Sequence, residues 1–267
     1  MLPFLPHPRK RGNFSGIDEQ AGFAYIDMGC RMVISFNQPA FIPWGGVFAR
    51  LLHCDRMVLL DNTWLARGFT FVNRNRIKTM DGVLWLTVPL ERAGRGRQVI
   101  RDLEIHDKSR WVERLIKTLR HHYVRSPWYD AVMARIAPAL EDPDPGFLAT
   151  VTPIMESLRR FMDLPARFLL QSRLGVTGHG VDLYLAACRA SGAESVLLPA
   201  AAAACVEWRR LEAQGISVSF LRYEPPVTPQ FWGDFRGNLS VLDALFCVGP
   251  EATRKLLAAG SYQEPVT

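Results

Sequence analysis

Apolar residues come in short blocks, and the blocks alternate between a strand-like and a helix-like period along the chain. Met32–Phe36 (MVISF) is a short run with β-branched residues and predicts a buried strand. A loop at Asn37–Pro43 and a helix around Trp44–Cys54 follow. A second buried strand at Met57–Leu60 ends at Asp61. Strand, loop, helix, strand predicts a βαβ unit with a parallel pair. Residues 83–88 (VLWLTV) predict a further strand stopped by Pro89, and 91–98 a polar turn.

The middle of the chain changes period. Trp111, Leu115, Leu119 and Tyr123 fall four apart and predict one buried face of a helix, capped by Ser109 and running to about Val124. EDPDPG at 141–146 is a loop. Thr152-Pro153 predicts the start of a second helix that ends near Asp163. The last third returns to alternation. Strands are expected at Phe168–Leu170, Val196–Leu198 and Ile216–Leu221. Helices are expected at Val181–Ser191, Ala200–Gln214 and from Ser240 to Gly249. The expected fold is α/β, with a mostly parallel sheet of Rossmann-like type and a helical segment inserted mid-chain. Residues 32–260 form its one domain, with 108–165 as a helical lobe. Residues 1–31, with Pro3, Pro6, Pro8 and the basic run Arg9-Lys10-Arg11, are expected to be a poorly ordered extension. Met28 and Met32, at or just before the first strong strand, are candidate alternative starts.

Composition narrows the class. The 267 residues are 48% apolar and 22% charged, which is ordinary for a globular domain. No apolar run approaches the roughly 20 residues needed to cross a bilayer. The best, Val196–Val206, is broken by Pro199. The first residues lack a signal core, so a cytoplasmic location is expected. Five cysteines (Cys30, Cys54, Cys188, Cys205, Cys247) with no C-x-x-C spacing predict neither a disulfide framework nor a metal site. The net charge of +6 suits phosphates, nucleic acid or an anionic surface without choosing among them.

Ligands of open parallel sheets bind beyond the carboxyl ends of the strands. That rule picks out Gln38, Asp61 and Gln171-Ser172. For Asp61 the plain alternative is a turn or cap carboxylate. Neither G-x-G-x-x-G nor a Walker-type phosphate loop is present, so no cofactor is expected. Asn73-Arg74-Asn75-Arg76-Ile77-Lys78 is the densest polar patch. It reads as a phosphate or carboxylate grip, or as a solvated turn. His121-His122 read as a general base or a surface pair. Cys54 is the candidate nucleophile, against plain packing. Gln230 stands in an aromatic loop and is a candidate contact. Ser240 and Asp243 have capping-box spacing, with Asp in place of Glu.

Three ordered segments carry a resemblance. NQPAFIPWGG at 37–46, NRNRIK at 73–78 with WLTVP at 85–89, and PQFWGDFRGNLSVLDALFCVGP at 229–250 together resemble the WbqC-like family. The similarity runs from about residue 32 to 250. It implies a role in O-antigen, lipopolysaccharide or related surface-polysaccharide biosynthesis, with transfer of glycine or a similar aminoacyl group to a sugar amine. Asp61, Asn73 and Asn75 are then the expected catalytic residues. Asp61 would accept the amine proton, and Asn73, Asn75 or Arg74 would serve the oxyanion. Gln38, Trp44, Arg74, Lys78, Gln230, Asn238, Ser240 and Asp243 are the expected substrate contacts. The implied partners are an amino-sugar or nucleotide-sugar substrate and an activated amino-acid donor, carrier-protein or tRNA-linked. Nucleic acid is otherwise not expected as a partner. The alternative is a non-catalytic binding protein for a nucleotide sugar or a glycan-assembly partner. One departure stands out. Where the family pattern leads us to expect a Ser-Gly pair and a later Tyr, this chain has Leu198-Pro199 and then AAAAACVEW.

Overall fold

Strict alternation along the first strand, β1 (Val33–Asn37), sends Ile34 and Phe36 to one side of a sheet and Ser35 to the other. In the computed structural model, which describes residues 32–68 and 70–264, β1 lies inside a six-stranded sheet. The extension expected at 1–31 lies outside the described residues. Helix α1 (Gly45–Arg50) leads from β1 to β2 (Arg56–Leu59), and the two strands pair in parallel as the βαβ pattern requires. The polar run at 73–78 is not a turn. It is β3 (Arg74–Thr79), paired antiparallel with β4 (Gly82–Thr87) as a separate ribbon. A polar strand is buried there because its polar side chains find backbone carbonyls.

Three helices fill the middle: α2 (Lys108–Tyr123), α3 (Tyr129–Glu141) and α4 (Phe147–Phe161). The predicted stripe Trp111, Leu115, Leu119 and Tyr123 is the buried face of α2. Helix α2 starts at Lys108, and the expected Ser109 cap is not used. Helix α3 was not foreseen, and α4 starts well before Pro153. Phe147 and Val151 in the core anchor its first turn, and tertiary burial outweighs the proline. All three helices share one apolar cluster with α1, the ribbon and the carboxy-terminal helix.

The remaining strands are β5 (Arg167–Leu170), β6 (Ser195–Pro199), β7 (Ser217–Tyr223) and β8 (Ser261–Glu264), in sheet order β5-β2-β1-β6-β7-β8. The first five are parallel and β8 is antiparallel to β7. The fold is therefore α/β with a mostly parallel, Rossmann-like sheet. Helix α5 (Gly180–Ser191) stops at Gly192, which takes a left-handed φ of 68°. The long helix expected over 200–214 does not form. Ala200–Ala204 is a 3₁₀ turn with no buried residue, and only α6 (Arg209–Glu212) is α-helical. Alanines with no apolar face to bury gain nothing tertiary from helix formation.

Helix α7 (Val241–Ala259) runs past the expected stop but bends at Gly249, where φ is 78° and ψ 178°. The Trp128 ring covers that glycine. A Cβ there would stand 2.2 Å from Trp128 Cε2. Gly249→Ala is expected to cost about 1–3 kcal/mol through overpacking. A urea midpoint equal to that of the parent would refute this account of the bend.

Candidate functional site

In the sheet order, the chain leaves β1 in one direction to β2 and returns on its other side as β6. The switch point therefore lies between β1 and β6, where open sheets form a crevice. Ser35 Oγ donates to the Leu197 carbonyl across this boundary at 2.7 Å. Beneath it lies Arg50, only 3% exposed. Its guanidinium donates to Ser35 Oγ at 3.0 Å, to the Phe36 carbonyl at 2.6 Å and to Asn37 Oδ1 at 2.6 Å. These partners are neutral, and Nε is buried without one. Burial pushes the arginine down to about 10, so it remains charged at neutral pH. Sequence reasoning missed Arg50. Its one signal was a charge inside the apolar run GGVFARLL.

At the ends of β2 and β5 a second polar pair forms. Asp61 is 1% exposed. Its Oδ1 accepts from the Ser172 amide at 2.9 Å and its Oδ2 from the Ser172 hydroxyl at 2.5 Å. Ser172 itself is exposed. The carboxylate thus holds the hydroxyl proton and leaves the lone pairs of Ser172 Oγ for an incoming donor. Gln38 lies on the same carboxyl edge. Its Nε2 donates to Thr63 Oγ1 at 3.0 Å, and Thr63 donates to the Leu60 carbonyl at 2.8 Å. The rim is fastened by a bridge between Trp64 and Val99, with Arg97 4.9 Å from the centre of the Trp64 ring.

The other predicted residues meet elsewhere, where the 229–240 segment lies on the ribbon. Lys78 is buried and donates to the carbonyls of Gly233 at 3.0 Å and Asp234 at 2.5 Å. Asp243 accepts from Tyr123 Oη at 2.6 Å and from Gln230 Nε2 at 2.7 Å. Gln230 also clasps the backbone of Arg236 through both ends of its amide. Ser240 caps α7 through Leu242 N, but Asp243 does not return the bond that its spacing suggested. Desolvation raises the Asp243 carboxyl above its ordinary value, against the hydrogen bonds from Tyr123 and Gln230. Burial, first of several causes, pushes the Tyr123 phenol well above its ordinary range.

This clasp holds a loop in which Trp232 and Asn238 both take positive φ, 67° and 56°. Asn238 offers its carbonyl to Arg76 at 2.9 Å, and Trp44 bridges to Ser240. Trp44, Gln230, Asn238, Ser240 and Asp243 line a cavity of about 50 Å³. Sugar-sized ligands need roughly 300–1,000 Å³, so this space is too small for one. Asn75 donates to the Ile42 carbonyl at 2.9 Å, and Asn73 to that of Val88 at 2.9 Å. Arg74 is half-buried on the ribbon. The predicted residues thus form two groups. Gln38 and Asp61 share the strand ends, and the others gather around the ribbon and its covering loop.

Cys54, the candidate nucleophile, is buried, and desolvation pushes its thiol up to about 12. Burial likewise raises Cys188 to about 11 and Cys247 to about 12. Thiolate is the reactive form, so these three thiols are poor nucleophiles. Alkylation of native protein at neutral pH, followed by peptide mapping, is expected to label the exposed Cys205 first among the four described. Rapid labelling of Cys54 would restore it as a nucleophile. His121 and His122 stack edge to face with ring centres 4.8 Å apart, and His106 Nδ1 meets Glu91 Oε1 at 2.6 Å. Among the described residues no group of three or more His, Cys, Asp or Glu is placed to hold a metal ion. None of the described helices is long and apolar enough to cross a membrane.

A family model described as "WbqC-like protein family" matches residues 38–255. A Mycobacterium tuberculosis (strain ATCC 25618 / H37Rv) protein named "Uncharacterized protein Rv1507c" is 25% identical over 221 residues. That match covers 82% of this chain and 95% of the relative. No solved structure matches the chain.

Proposed function

The chain belongs to the WbqC-like protein family, and from that premise we propose that it transfers an aminoacyl group, such as glycyl, or another acyl group to the amine of a sugar during bacterial surface-polysaccharide assembly. The observation that carries this reading is the Ser172–Asp61 pair at the strand ends. Attack requires a neutral amine. The sugar nitrogen bonds to the acyl carbon while the bond to the donor's leaving group breaks and its electron pair departs with that group. The amine proton passes to Ser172 Oγ as the serine proton moves to Asp61 Oδ2. Ser172 meets the substrate in this scheme, and buried Asp61 acts through it. Gln38 orients the sugar from the adjoining loop.

Asn73, Asn75, Lys78, Gln230, Asn238, Ser240 and Asp243 enter the proposal as positioning residues. Asn75 holds the 37–46 segment at Ile42, Asn73 ties the ribbon at Val88, and the others, with Trp44, hold the 229–240 segment, while Arg74 stays a proposed substrate contact on the ribbon. The reading puts the reaction in the cytoplasm, where activated amino acids and nucleotide sugars are made.

The test is to incubate purified protein with nucleotide-linked amino sugars and activated amino acids and to read product mass. An added aminoacyl mass supports transfer. A second reading, binding of a nucleotide sugar without turnover, draws on one observation: the amides of Asn73 and Asn75 are already spent on backbone carbonyls. Unchanged masses with thermal stabilisation by a nucleotide sugar would favour it.

A further inference from the structure

A hollow larger than the cavity at the clasp lies away from it, along β5 and α4. It has a volume of about 520 Å³, within the range of small-molecule sites. Arg159, Arg160, Arg167 and Arg173 line it, against the single carboxylate of Glu156. Glu156 is engaged by two of them. Arg159 Nε and Nη2 reach it at 2.8 Å and Arg160 Nε at 2.6 Å. Arg167 and Arg173 are exposed and have no carboxylate partner among the described residues. Thr152 adds a buried Oγ1 without a hydrogen-bond partner to the same lining. The hollow therefore holds a surplus of positive charge, presented by forked guanidinium groups that match phosphate oxygens.

Its location ties it to chemistry. Arg173 follows Ser172 in the turn after β5, and Ser172 is the residue held by Asp61. We propose that this groove binds the diphosphate of an activated sugar and so brings the sugar to the Ser172–Asp61 pair. The inference rests on the transfer reading for the reaction but not for the binding.

Two other occupants fit less well. Among the described residues strand β5 pairs only with β2 and leaves an edge, but it offers four residues before the 3₁₀ turn at Gln171, too few for a long added strand. A second copy paired antiparallel through β5 would have only the same four-residue edge to offer.

The test measures binding of inorganic pyrophosphate, uridine diphosphate N-acetylglucosamine and farnesyl diphosphate by titration calorimetry at two salt concentrations. The full chain, R167A/R173A and a control, R110A/R114A, are compared. The control removes equal charge from the exposed face of α2. Pyrophosphate affinity is expected to fall at least about tenfold in R167A/R173A and less than about twofold in the control, with binding weakened by salt. Tighter binding of the nucleotide sugar than of pyrophosphate would identify a soluble donor or acceptor. Tighter binding of farnesyl diphosphate would identify a lipid carrier, and either supports the shared diphosphate chemistry.

Equal losses in both variants or no binding of any probe would overturn the proposal. The two readings fail separately. Arginine-dependent binding without any transfer would sink the transferase reading alone. Transfer with an unchanged KM in R167A/R173A would sink the groove alone.

Discussion

Asp243→Ala is expected to destabilise the protein by about 3–5 kcal/mol, the cost of removing one partner from a buried charged network. The carboxylate accepts from Tyr123 Oη and Gln230 Nε2, and its loss would leave buried Tyr123 Oη with only the longer bond to the Lys78 carbonyl at 3.3 Å and Gln230 Nε2 with the Arg236 carbonyl. Lys78 would lose a nearby counter-charge while still bound to Gly233 and Asp234. Small domains hold only about 5–15 kcal/mol in all, so such a loss takes much of the margin. Urea unfolding at pH 7 measures it, and a midpoint unchanged from the parent would refute the network's role.

The pH dependence has a definite sign. Asp243 has a folded pKa above its ordinary 3.8, chiefly through desolvation. The native state thus takes up this proton before the unfolded chain does. The proton-linked part of its stability is fully present below 3.8 and is lost as pH rises through the raised folded value, leaving at pH 7 the hydrogen-bond and charge contacts that Asp243→Ala removes. Asp243→Asn removes the titration and keeps the shape. The parent is therefore expected to gain on Asp243→Asn as pH falls toward about 4. The opposite slope would mean that Lys78 and the two hydrogen bonds outweigh burial.

Asp61→Asn is expected to lower kcat for transfer at least about 100-fold, the lower end of what a positioned proton acceptor contributes. KM should change little, because the exposed partner that meets the substrate is Ser172. Ser172→Ala should reproduce most of the defect, since it cuts the same relay one atom earlier. Both variants should retain cooperative unfolding near the parent midpoint. Turnover that survives in Asp61→Asn would remove this carboxylate from the reaction and leave it as the tie between the ends of β2 and β5.

Much of the fold was legible because local patterns and burial agreed. The run at 32–36, the stripe from Trp111 to Tyr123 and the stop at Gly192 all stand in the structure as read. Elsewhere the local signal pointed the wrong way. Pro153 looked like a helix start until Phe147 and Val151 anchored an earlier turn in the core. The alanine run at 200–204 had helix propensity but no face to bury. NRNRIK looked solvated, although the backbone carbonyls that satisfy its polar groups come from residues 42, 88, 233, 234 and 238.

By itself, then, the sequence determined the alternation of strands and helices, the parallel pairing and the residues near the strand ends. Periodicity and turn chemistry are properties of neighbours along the chain. Only the tertiary structure decided that Lys78, Tyr123, Gln230 and Asp243 form one clasp, that Arg50 lies under the switch point and that Arg167 and Arg173 open onto a groove. Those assignments depend on which distant carbonyl, hydroxyl or carboxylate reaches each side chain. Such partners are set by packing across the whole sheet rather than by spacing along the chain.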